Sequence, residues 1–283
     1  MNYIMKTIIL IAVVNLSTSC NEKKAEIKTM NNDKQLISIV DSLSKKDTVK
    51  ETTSLILKDT LSKNKNIIEM ADEQYEDIIE KNTSDAFAQK KPELFDKMIV
   101  DINDDEKMPI VYKKYWITYV YYKQSILYRG LKNNDKASKA IDKAIENLKD
   151  NLKNSEDYAL YAACTSFSIQ FANMTQLGSI AAEVQENAQK SLELDPKNVR
   201  AYYVLASQNF YTPKMFGGMT KVEEYGIKGI ACPMSKDEAF YSPYWGKVDL
   251  YRILMKYYET EKKTMELQKI NGLAKKEFPS FFK

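Results

Sequence analysis

The side chains able to do chemistry here are defined first by a missing type: the 283-residue chain contains no histidine. A serine or cysteine nucleophile paired with an imidazole base is excluded, and so are the usual histidine-bearing zinc sites. General acid and base work falls to carboxylates, lysines and tyrosines, and no specific constellation of them stands out. Asp101, Asp104, Asp105 and Glu106 form an acidic cluster between helical patterns. It lacks the spaced oxygen ligands and the glycine of a calcium loop, so a solvated turn is expected there rather than a metal site. Cys164 lies in the apolar helical run 159–171, where a cysteine behaves as a small buried hydrophobe. Cys232 is the other cysteine of the folded part, and whether the two pair stays open at this point. Nothing near Cys164 in sequence depresses its thiol pKa. The chain therefore reads as a binding protein, with no cofactor and no catalytic site.

One local arrangement offers a possible anion cradle. Pro213, Lys214, Met215, Phe216, Gly217 and Gly218 precede a helical stretch, and Lys221 follows. Glycine amides at a helix start, helped by Lys214 and Lys221, suit an anion. Against this, Thr220 and Glu223 have capping-box spacing, and Glu224 repels negative charge. The preferred reading makes Pro213, Gly217 and Gly218 turn-forming residues, with Pro213 and Phe216 pinning the turn against its neighbour. Tyr202, Phe210, Tyr211 and Phe216 are the candidate contacts to a partner or ligand.

The N-terminus supplies an address. Lys6 is followed by an apolar run from Thr7 to Leu16, then Ser17, Thr18, Ser19 and Cys20. The run is about half the ~20 residues that cross a bilayer, so a cleaved signal is expected rather than a span. The arrangement resembles a bacterial lipobox, although Ser17 stands where an aliphatic residue is usual and Leu16 comes one place earlier. That resemblance implies acylation of Cys20 and stable membrane attachment. Asn21 after the cysteine implies an outer-membrane destination. Glu22, Lys23, Lys24, Ala25 and Glu26 are mixed in sign and form no acidic run, which makes a periplasm-facing anchor the default.

Composition bounds the remainder. Hydrophobic residues make up 44% of the chain, enough for a real core, and a net charge of only +3 argues against nucleic acid as the main partner. Eight glycines and seven prolines against 19 tyrosines favour long helices with aromatic packing. Residues 20–63 read as a polar tether with uncertain helices, and a helical domain is expected over 64–283. From Ile67 the signal strengthens, with Ile68, Ala71, Tyr75 and Ile79 on one face. Pro92 opens a short helix carrying Leu94, Phe95, Met98 and Ile99. The aromatic-rich stretch 111–129 surrounds its helix with apolar side chains, so packing on more than one side is expected. Gly130 and a polar turn then lead to a second helix over 136–149, making an antiparallel hairpin.

Those spacings resemble the tetratricopeptide repeat, about 34 residues in which two antiparallel helices meet through aromatic and small residues. Tyr121, Ser125, Tyr128, Ala137, Ile141 and Ala144 fall on that pattern. A weaker copy carries Phe171, Ala172, Val184, Ala188, Ser191 and Pro196. Tyr202, Leu205 and Ala206 open a third, and Tyr251, Leu254, Tyr258, Ala274 and Pro279 belong to a last. The chain resembles a subgroup of bacterial repeat lipoproteins with a proline and a phenylalanine-glycine-glycine turn in the third copy. The expected fold is all-α: an irregular TPR-like α-solenoid with a less regular N-terminal region. What the resemblance implies is a membrane-anchored scaffold that binds a protein or peptide partner in the cell envelope through an aromatic groove. The alternative is a small-molecule or lipid carrier associated with transport. A deep, mostly apolar pocket favours the second and a shallow open groove the first.

Overall fold

A computed structural model describes residues 74–234 and 239–282. The expected signal segment, Cys20, the tether and the boundary at 63 lie outside the described residues. Within them, ten α-helices pack as sequential antiparallel pairs, with no strand. The pairs are α1 (Tyr75–Gln89) with α2 (Glu93–Asp104), α3 (Ile110–Gly130) with α4 (Asn134–Lys149), and α5 (Ser155–Ser168) with α6 (Leu177–Leu194). The last two are α7 (Val199–Tyr211) with α8 (Val222–Ala231), and α9 (Lys247–Thr260) with α10 (Thr264–Glu277).

Local chemistry starts and stops these helices. Asn133, Asn154 and Asn198 each accept a backbone N–H at the start of α4, α5 and α7, relieving amides that a helix leaves unpaired. Gln74 and Asp77 cap α1 reciprocally, so α1 begins at Tyr75. The α3–α4 and α9–α10 turns share one design. A lysine, Lys132 or Lys262, takes left-handed backbone geometry, and the next amide returns to a carbonyl of the preceding helix.

Packing follows the small residues. Ala137, Ile141, Ala144 and Leu148 form the buried stripe of α4, and Ser125 donates to the Ala137 carbonyl at 2.7 Å where α3 and α4 cross. At the next junction Ser155, Ser191 and Asn198 hydrogen-bond at 2.8–2.9 Å, holding α5, α6 and α7 together through buried polar groups that satisfy one another. Helix α3 is buried on several sides, with Tyr115, Trp116, Tyr119 and Val120 all inside. This is what its continuous aromatic content dictates.

The second copy departs from the expected register. Helix α5 ends at Ser168 and passes through two 3-10 turns, Ile169–Phe171 and Met174–Gln176, before α6 begins. Phe171 and Ala172 therefore lie in the connection, not in a repeat helix. Ser168 donates to the Thr165 carbonyl and Gln170 to that of Phe167, so side chains take up carbonyls at the helix end.

Candidate functional site

The segment 239–246, before α9, lies across the face presented by α1, α3 and α7. Its backbone is tied down at both ends. Tyr75 N–H donates to the Phe240 carbonyl at 3.0 Å, the Trp116 indole N–H to the Tyr241 carbonyl at 3.0 Å, and an Arg200 Nη to the Trp245 carbonyl at 3.3 Å. Buried Glu76 accepts the backbone N–H groups of Tyr244 and Trp245. Aromatic rings fill the space between. Tyr241 packs on Tyr75 at 5.2 Å between centroids, and Trp245 on Tyr119 at 5.4 Å and Tyr203 at 6.1 Å. The Trp245 indole also donates to the Tyr115 hydroxyl at 2.8 Å. Gly246 completes the strap at φ +103, where a side chain is strained.

Beside the strap is a cleft of about 560 Å³. One wall is the start of α3, with Val111, Tyr112 and Tyr115. The second is the entry to α5 from Asn154 to Asp157, and the third is Asp195, Lys197 and Arg200 at the entry to α7. Pro233, Met234, Ser242 and Pro243 close the fourth side. Arg200 is 2% exposed and grips Glu156 with two nitrogens, Nε to Oε2 at 2.5 Å and Nη2 to Oε1 at 2.6 Å, while Asn198 donates to Oε1 at 2.9 Å. Burial pushes the Glu156 carboxyl upward, and the Arg200 charge, Arg200 hydrogen bonding and Asn198 oppose it. Burial disfavours the Arg200 charge too, but Glu156, the largest opposing influence, leaves the guanidinium above its ordinary value. The two side chains form a close ion pair at the floor of the cleft.

The other polar groups divide by engagement. Asp157 caps α5 through the amides of Lys153 and Asn154, and Asp195 accepts the Lys197 amide. The Tyr112 hydroxyl shares a 3.3 Å contact with Ser242. The cleft thus offers an apolar wall of Val111, Tyr112, Tyr115, Met234 and prolines, and a polar end of Asn154, Ser155, Asp195 and Lys197. A surface of this composition suits an amphipathic small molecule. Among the described residues no group of three or more histidine, cysteine or acidic side chains is arranged to hold a metal ion, and no helix is long and apolar enough to cross a membrane.

The residues singled out from sequence lie elsewhere. Tyr202 is half-buried, with its hydroxyl donating to the Pro196 carbonyl at 3.2 Å and its Cβ beside Gly229 of α8. Phe210 and Tyr211 pack edge to face at 4.8 Å, half-buried at the end of α7. Phe216 is 66% exposed, so it does not pin the turn against its neighbour. None of the four lines the cleft. Pro213 begins a 3-10 turn, Lys214–Phe216, and Gly217 follows at φ +85. Thr220 donates to the Gly217 carbonyl instead of forming a capping box. Asn209 reaches across to accept the Lys221 amide at 2.7 Å. Cys164 and Cys232 are both buried free thiols.

Sequence reasoning missed Glu156, Arg200 and the strap. One signal was present: Arg129, Arg200 and Arg252 are the arginines of a chain that otherwise uses lysine. An arginine between Val199 and Ala201 at a helix start marks a planar, bidentate ion pair better than it marks a surface charge.

No protein-family profile matches the chain, and no curated protein matches it. Among solved structures it is similar to the HusA haemophore from Porphyromonas gingivalis. The match has 19% identity and a TM-score of 0.47, over 68% of this chain and 96% of that one.

Proposed function

We propose that this chain is an envelope binding protein that carries a small amphipathic molecule in the cleft between α3, α5, α7 and the strap. The observation that supports the reading is the strap itself. The aromatic face of Tyr75, Tyr119 and Tyr203 is covered by the chain's own Tyr241 and Trp245. What stays accessible beside it is a half-open cleft of about 560 Å³, within the ~300–1,000 Å³ range of small-molecule sites. The scaffold reading drawn from sequence therefore gives way to its alternative, a small-molecule carrier. In this reading Cys20 is acylated and holds the chain at the outer membrane facing the periplasm, in the manner of the TPR-like repeat lipoproteins. The chain binds and releases its ligand without transforming it.

The ligand's body would rest on Tyr112 and Tyr115, with Lys197 and Asp195 meeting its polar end. The test is native mass spectrometry of the protein purified from membranes in mild detergent, with extracted small molecules identified from the same sample. Thermal-shift and absorbance titrations with small amphipathic probes, haemin among them, follow. A bound small molecule whose affinity falls about tenfold or more in Tyr112→Ala and Val111→Trp supports the reading. A stoichiometric protein partner with an empty cleft, lost on substitution of Tyr202, Phe210, Tyr211 or Phe216, returns it to the scaffold. Cys20→Ala is expected to release the protein from membranes, and unchanged partitioning would refute the anchor.

A further inference from the structure

Tyr115 carries a proton that the described protein does not use. Its side chain is 2% exposed, yet it forms part of the cleft wall. The hydroxyl oxygen accepts the Trp245 indole N–H at 2.8 Å, and among the described residues no oxygen takes the hydroxyl proton in return. A tyrosine hydroxyl both accepts and donates, so its oxygen is engaged by the strap while the donor is left over. Burial, with the Glu156 charge adding and Arg200 opposing, holds Tyr115 well above the ordinary tyrosine value. The group is therefore a neutral phenol with its proton in place. A buried donor is costly to leave without an acceptor, and that cost discriminates among the molecules the cleft can hold.

The surroundings narrow the acceptor. Glu156, Asp157 and Asp195 line the cleft against Lys197 and Arg200, so carboxylates outnumber cations and an anionic group gains nothing there. A ligand hydroxyl would bring a donor of its own. Glu156, however, is already taken by Arg200 and by Asn198 at 2.9 Å, and Asp157 by the amides of Lys153 and Asn154. Ser242 is engaged as well, by the Ala239 amide and by Tyr112. What fits is an uncharged oxygen that accepts and does not donate, as a carbonyl does. Val111, Tyr112, Pro233 and Pro243 in the same cleft suit the carbon framework that bears it.

We propose that the Tyr115 hydroxyl is the specificity-determining donor of the cleft, and that the ligand is a neutral carbonyl compound, a ketone, ester or amide, whose oxygen takes that proton. This rests on the carrier reading of the cleft and adds an inner contact to the polar end at Asp195 and Lys197.

The test uses two matched probes on the full protein, the ketone acetylnaphthalene and the hydrocarbon ethylnaphthalene, which share a framework and differ in the carbonyl oxygen. The ketone is expected to bind about fivefold or more tightly, and its isotope-labelled carbonyl stretch to move to lower frequency on binding. Tyr115→Phe keeps the ring and removes the donor, so the preference and the shift are both expected to disappear. Trp245→Phe removes the strap's bond to Tyr115 and leaves the phenol proton, so both signals are expected to persist. Their loss in Trp245→Phe would show that strap order sets the preference, and overturns the proposal. Equal affinity for the two probes, with both abolished by Val111→Trp, overturns the carbonyl assignment and leaves the carrier reading standing. Binding of neither probe, or binding unaffected by Val111→Trp, removes the carrier reading and the proposal with it.

Discussion

Glu76 accepts the backbone N–H of Tyr244 at 2.6 Å, joining the first described helix to a segment 168 residues later, and it takes the Trp245 N–H at 3.0 Å with the same oxygen. Burial pushes this carboxyl up to about 8, with Glu80 adding and the two amides and Arg200 opposing. An unfolded glutamate titrates near 4.3. Between those values the folded state keeps a proton that the unfolded state has released, so this contribution to stability falls as pH rises through the window and levels off above it. Glu76→Gln keeps an oxygen acceptor and cannot ionise. Its melting temperature is expected to depend less on pH than that of the wild type between about 5 and 8. Parallel curves would refute the assignment.

Arg200 and Glu156 form a pair whose members depend on each other. Arg200→Met strands a carboxylate that is itself a quarter exposed, and is expected to cost about 3 kcal/mol in urea unfolding. Glu156→Gln should cost less, because the amide still accepts from Asn198. A double apolar replacement should recover part of the loss, and strict additivity of the two single changes would argue that the pair is not coupled.

The two glycines of the α7–α8 turn are predicted to behave differently. A Cβ on Gly218 would sit 1.7 Å from the Thr212 carbonyl oxygen, so Gly218→Ala must move backbone and should cost about 2 kcal/mol or more. Gly217 faces open space, and only its left-handed geometry resists substitution. Gly217→Ala is expected to cost roughly 1–2 kcal/mol and Gly217→Asn less. Equal losses at the two positions would show that the turn is not built as described.

Burial raises both thiols. Cys164 is pushed well above the ordinary range, and Cys232 up to about 12, with its Sγ donating to the Lys228 carbonyl at 3.2 Å. A thiol reagent at mild alkaline pH should therefore modify neither in the folded protein and both on denaturation. Rapid native labelling of either cysteine would contradict its burial.

Much of the helical scaffold was legible in the sequence because it is local. The stripe of Ala137, Ile141 and Ala144 and the small Ser125 opposite it follow from a 3.6-residue period, and the crossing they predict is the one observed. The second copy was misread because Phe171 continues an apolar run beyond Ser168, and periodicity does not register the side-chain caps that end the helix there. The cleft was not legible at all. Trp245 meets Tyr115 and Glu76, 130 and 169 residues away, and lies among residues such as Pro243 and Gly246 that signal a loop.

By itself the sequence determined an all-α chain of antiparallel hairpins and the absence of imidazole chemistry, since both rest on residue type and near-neighbour spacing. Only the tertiary structure decided which aromatics are core and where a cleft opens. Those outcomes depend on the strap returning across α1 and α3 and on Arg200 meeting Glu156, contacts between residues far apart in sequence. Burial there sets charge, exposure and cavity shape together.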